Sequence, residues 1–216
     1  MRYFLWFMAA LLLASCSKKI PSEYTSPAVF PEHTQAYQLT QQELYADPMN
    51  GIGLRYHDKA KPTSRFDVNI YPVGSLYWQQ LEPLLEGEIA VILSDRDYLI
   101  AQGKWQEKRA VMRTPVTITG QAGVRLQWHL WAPNKIQHEI VFLFLQQDKW
   151  IKFSFFKMAA AYNNADAMNL AQQAEAAVWQ LLPELHAPPE SPLVAQKRAE
   201  HAAKIKAKAA ELLRGK

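Results

Sequence analysis

The sequence predicts an α+β domain: an antiparallel sheet of about six strands, a long helix inserted mid-chain and a C-terminal core helix. Three observations carry that expectation. Short apolar runs alternate with period two between turn clusters, which is the pattern of half-buried strands. Over residues 76–108 the apolar spacing changes to that of a helix. One run, residues 140–145, is apolar on both faces, as a central strand needs when helices cover both sides in an α/β/α sandwich. With 216 residues, 49% of them hydrophobic and 20% charged, the chain can bury such a core.

The elements follow in order. Residues 37–45 are the first strand, ended by the turn cluster Asp47-Pro48-Met49-Asn50-Gly51. Ile52, Leu54 and Tyr56 alternate with polar neighbours in the second strand, and Phe66, Val68 and Ile70 do so in the third, which Pro72 stops. The helix over 76–108 places Leu81, Leu85, Ile89, Ile92 and Leu99 on one side, with Pro83 tolerable in a first turn and Gly87 and Gly103 as breaking points. Residues 114–119 are a strand, and residues 120–123 read as a turn into Val124, Leu126, Trp128 and Leu130. Pro133-Asn134-Lys135 turns the chain into the two-sided run, and residues 146–149 turn it again into Ile151, Phe153 and Phe155. Asn163 or Asn164 can cap the last core helix, 165–182, which Pro183 ends.

The globular domain is therefore assigned to 37–186. Beyond it, 187–216 is read as a proline linker followed by a basic Ala/Lys-rich helix, outside the core. From Leu193 on, five lysines and two arginines face two glutamates, a net +5 against +4 for the whole chain, so the body is close to neutral. Nucleic acid is excluded as a partner because the positive charge is confined to this tail.

At the other end, Met1 to Ala14 carries one cation, Arg2, and an apolar run with the proportions of an export signal. The run ends on Leu13-Ala14-Ser15-Cys16, which resembles the lipobox of bacterial lipoproteins cut by signal peptidase II. That resemblance implies a signal peptide over 1–15, acylation of Cys16 (palmitate among its chains), and a lipidated N-terminus and tether over 16–36 containing Pro21, Pro27 and Pro31. Two or three chains anchor stably where one does not. Ser17, rather than aspartate, follows the cysteine; the resemblance then implies a place at the outer membrane facing the periplasm. Cys16 is the single cysteine, so no disulfide, cysteine nucleophile or thiolate metal site is available to the domain.

The order of elements over about 37–182 is similar to the sandwich of photosystem extrinsic proteins and several small bacterial lipoproteins. The runs Leu44-Tyr45-Ala46-Asp47-Pro48 and Asp67-Val68-Asn69-Ile70-Tyr71-Pro72 resemble uncharacterised bacterial envelope proteins. Neither likeness implies an activity.

No catalytic constellation emerges. Asp95 and Asp97, two apart on a helix, diverge by about 200° and cannot share a proton. Ser75, Ser94 and Ser154 lack a nucleophile elbow, and there is no glycine-rich phosphate loop, so no cofactor is expected. His129 and His138 fall on one sheet face around the Asn134 turn, but Glu139 points to the other face; two ligands do not make a metal site, and none is assigned. Aromatics, 12% of residues, are the compositional excess. Alternation sets Trp128 and Trp131 on opposite faces, so an exposed Trp131 beside Tyr71 or Phe156 is a candidate binding surface. In the tail Lys204, Lys206 and Lys208, with Ile205 and Leu212, form a weakly amphipathic basic helix fit to dock on an envelope protein or an anionic surface.

These readings combine into the expectation of a non-enzymatic, lipid-anchored periplasmic binding or adaptor lipoprotein of the bacterial envelope. The alternatives are a small envelope hydrolase or ligand-binding protein, and an outer-membrane lipoprotein component of a secretion apparatus.

Overall fold

In the computed structural model, residues 24, 29–61 and 64–214 are described, with side chains described through Lys208. Cys16 and the lipobox lie outside the described residues. Seven strands, not about six, form one antiparallel sheet: β1 (Tyr37–Leu44), β2 (Ile52–Asp58), β3 (Arg65–Pro72), β4 (Glu107–Ile118), β5 (Gln121–Ala132), β6 (Lys135–Gln146) and β7 (Lys149–Ala159). Among the described residues three α-helices accompany them: α1 (Leu81–Ala101), α2 (Asn164–Leu181) and α3 (Pro192–Arg214). The sheet order is β1-β2-β3-β7-β6-β5-β4. Two meanders are thus joined through the β3–β7 pair, and α1 supplies the crossover between them.

Pleating separates the two faces. On one, Ile52, Leu54 and Tyr56 of β2, Phe66, Val68 and Ile70 of β3, and Phe142, Phe144, Phe153 and Phe155 meet Leu170, Ala174, Val178 and Leu181 of α2. On the other, Leu126, Trp128, Leu130, Val141, Leu143 and Trp150 meet Leu85, Ile89 and Ile92 of α1. Consecutive residues of β6 enter opposite cores, which is why that run is apolar throughout. The Asn163 side chain accepts from the Ala165 amide at 2.9 Å and fixes the start of α2.

Several boundaries differ from the sequence expectation. The inserted helix runs from Leu81 to Ala101, inside the expected 76–108; it stops there because Gly103 adopts φ 70° and the buried Trp105 belongs to the connection. β4 begins at Glu107 rather than 114. It is an edge strand, mostly exposed, with a register shift between Arg109 and Met112 where Ala110 takes φ 52°, so its first half shows no alternation. The next turn is the pair Thr119 and Gly120, both at positive φ, as a tight hairpin demands. Gly123 lies within β5, where a Cβ would collide with the Phe144 ring and the Leu143 carbonyl.

Two segments read as appendages join the body. In the stretch read as tether, Tyr24, Val29 and Phe30 are buried in the α2-side core, and the Tyr56 hydroxyl donates to the Pro31 carbonyl at 2.8 Å. In the stretch read as linker, Ala187 is buried and its amide donates to the Gln146 side chain; just before it, the His186 amide donates to Val29 O at 2.9 Å.

Candidate functional site

The tail helix divides at Arg198. Val194 is 0% and Arg198 1% exposed. The guanidinium donates from Nε to the Val73 carbonyl at 2.7 Å, from Nη2 to Asp148 Oδ2 at 2.7 Å and from Nη1 to Glu190. Asp148, in the β6–β7 turn, also accepts from the Lys149 Nζ at 2.6 Å. Two cations on one buried carboxylate, with a backbone carbonyl taking a further N–H, make a satisfied network of the kind a buried charge requires. The planar five-donor fork of arginine explains why this position is not another lysine. Beyond it, residues 199–208 are exposed apart from a half-buried Ala202. Ile205 is 58% exposed, and Lys204, Lys206 and Lys208 stand in solvent on the same stretch. The side chain of Leu212 lies outside the described ones.

The aromatic candidates do not converge. Tyr71 and Phe156 point to the α1 side of the sheet and Trp131 to the α2 side. Tyr71 is half-buried and donates to Glu88 of α1 at 2.5 Å. Burial, and then the Glu88 charge, hold its hydroxyl well above the usual range. Burial likewise pushes Lys152, whose ammonium stands over the Tyr71 ring, down from its ordinary value. Trp131 is not free either: it stacks on Tyr162 (centroids 5.9 Å, 17°) with the Arg109 guanidinium 4.4 Å from its ring.

Beside Trp131 lies the histidine pair that the Asn134 turn predicted. His129 and His138 are direct cross-strand partners, both buried, with Nδ1 atoms 2.9 Å apart and Tyr162 over both rings. One ring must donate and the other accept. Burial lowers both pKa values; the neighbouring His138 lowers His129 further, and at His138 the Asp166 charge opposes the effect while Lys157 adds to it. His138 Nε2 has no hydrogen-bond partner among the described residues. Glu139 faces the opposite side, bound by Arg96 Nε at 2.9 Å, and no group of three metal-ligating side chains exists among the described residues. Asp97 pairs with Lys108 at 2.8 Å and Asp95 lies near Arg96, both as solvent-facing charges.

A cleft of about 730 Å³ opens between α2 and the ends of β3 and β7, with Phe66, Phe155 and Leu170 inside and Lys61, Arg65 and Lys157 at its mouth. Sequence reasoning missed it because it arises from unequal strand lengths.

No protein-family model and no curated protein matches the chain. Among solved structures, it is similar to the solution structure of cyanobacterial PsbP (CyanoP) from Synechocystis sp. PCC 6803, at 10% identity and a TM-score of 0.44, over 72% of this chain and 84% of that one. It is also similar to a Pseudomonas aeruginosa protein of unknown function described as a putative regulator, at 11% identity and a TM-score of 0.34, over 68% of this chain and 82% of the other.

Proposed function

We propose that this chain is a non-enzymatic, lipid-anchored binding or adaptor lipoprotein of the bacterial envelope, held at the outer membrane by acyl chains on Cys16 and facing the periplasm. The anchor rests on the Leu13-Ala14-Ser15-Cys16 motif. Among the described residues no helix is long and apolar enough to cross a membrane.

The observation that carries the binding role is the division of α3. Its first turns are clamped through Arg198, while Lys204, Lys206 and Lys208 with Ile205 stand clear of the body. A helix fixed at its root and cationic along its free part suits an acidic protein surface or an anionic leaflet, and its attraction is screened over about 8 Å at physiological ionic strength.

The test compares the lipidated chain with the triple variant Lys204→Gln, Lys206→Gln, Lys208→Gln across a salt series, using vesicles of phosphatidylglycerol and phosphatidylcholine and an immobilised envelope extract. Capture that falls in the variant and loses its salt dependence supports the reading; capture identical to wild type at every salt concentration removes α3 from it. In parallel, mass spectrometry should find the mature N-terminus at an acylated Cys16, and an unmodified N-terminus elsewhere would remove the anchor.

A further inference from the structure

We propose that the cleft between α2 and the ends of β3 and β7 binds a long-chain carboxylate, acyl chain inward and carboxylate at Lys61 and Arg65. This site is separate from α3, and its failure would leave the adaptor reading intact.

The cleft follows from strand lengths. β3 begins at Arg65 and pairs with β7 only as far as Phe66 opposite Phe155, whereas β7 runs on to Ala159 against β6. Past that last pair the sheet has a notch on the β3 side, and Leu170, Gln173 and Ala177 of α2 roof it. The resulting volume of about 730 Å³ falls within the range of small-molecule sites. Its floor is the α2-side core itself, with Phe66 stacked on Phe155 at 4.7 Å and both buried, so an acyl chain would extend an existing apolar layer.

The mouth has charge to match. Lys61 and Arg65 have no carboxylate partner among the described residues. Asp58, the acid nearest them in the lining, is engaged by the loop backbone, its Oδ1 accepting from the Ala60 amide at 2.8 Å and the Lys61 amide at 3.3 Å. Lys157 is matched by Asp166 at 2.7 Å and adds no unbalanced charge. Counted against the single charge of Asp58, Lys61 and Arg65 leave the mouth one positive charge in excess over an apolar interior, which calls for an anionic head on an apolar tail, and the arginine fork suits a carboxylate. An acidic peptide adding to the free edge of β7 fits less well, because that edge offers four residues, 156–159, fewer than a usual strand.

The experiment uses the lipidated chain in phosphatidylcholine nanodiscs with a palmitate analogue bearing a mid-chain diazirine, cross-linked by light and mapped by peptide mass spectrometry. Labels should fall on the peptides holding Phe155, Met158 and Leu170. Lys61→Glu with Arg65→Glu should reduce them by about tenfold, as loss of charged hydrogen bonds implies. Gln173→Trp, at an exposed helix position on the rim, should block labelling without altering the melt. The corresponding neutral alcohol should label weakly. Labels scattered over the surface, equal labelling by the alcohol, or labelling unchanged in both variants would overturn the proposal. Labelling of the same peptides by a photoactivatable acidic peptide but not by the palmitate analogue would also overturn it, in favour of a strand-addition site.

Discussion

The two parts of α3 carry the same net charge, +2 from Lys197 and Arg198 over 192–198 and +2 from Lys204, Lys206 and Lys208 against Glu200 over 199–208, yet have opposite fates. Residues 192–198 bury Val194, and Arg198 on the turn at Asp148, whereas residues 199–208 are mostly exposed, Ile205 at 58%. The difference lies in one side chain with three partners: the Val73 carbonyl, Asp148 and Glu190. A buried cation is tolerated where every donor is matched, and a helix without such a root is marginal in water at this length. Helical character in a tail therefore says nothing about docking; the position of a matched charge does.

The largest expected effect is at the root. Arg198→Ala would leave Asp148, 1% exposed, facing only Lys149 and would leave the Val73 carbonyl without its guanidinium donor, for a loss of about 3–5 kcal/mol. Denaturant melts of the variant should show it, and Arg198→Met should lose less than Arg198→Ala because it refills the volume. Ile205→Ala or Lys206→Gln in the outer part should stay within about 0.5 kcal/mol of wild type. A small Arg198→Ala effect would erase the distinction between the two parts.

A middle-sized effect is expected at the histidine pair, which packs on Tyr162 just ahead of α2. Both rings are held below the ordinary value near 6.5. The unfolded chain then takes up protons that the folded chain refuses, so stability is complete above that value and falls as the pH drops below it. A first proton can be shared across the 2.9 Å contact, but a second sets two donors face to face. The melting temperature should fall between about pH 7.5 and about pH 5, and His138→Gln should shallow that fall. An unchanged slope in the variant would place the acid sensitivity elsewhere.

How far the sequence could lead depended on whether the deciding contact was local. The His129–His138 pairing was legible because a two-residue turn dictates register, and β6 was legible because residues 140–145 admit no polar face. The first half of β4 was not, since an exposed edge strand with a bulge has no reason to alternate. Trp131 was set correctly apart from Trp128, but its cover, Tyr162 and Arg109, comes from segments whose approach no periodicity encodes. Arg198 was hidden most completely. It is one cation among many in a basic helix, and its partner Asp148 lies fifty residues away in a turn where aspartate already has a local reason to be.

The division of α3 is tested most directly by amide hydrogen exchange on the full chain. Peptides covering 187–199 should exchange on the slow timescale of the sheet, because opening them requires breaking the Arg198 network, while peptides from His201 onward should exchange rapidly as the unsupported helix frays. Arg198→Ala should bring the first group to the rate of the second. Uniform slow exchange through Arg214 would mean that the basic part is packed and unavailable to a partner, and uniform fast exchange from residue 187 would mean that no clamp exists; either result would contradict the account.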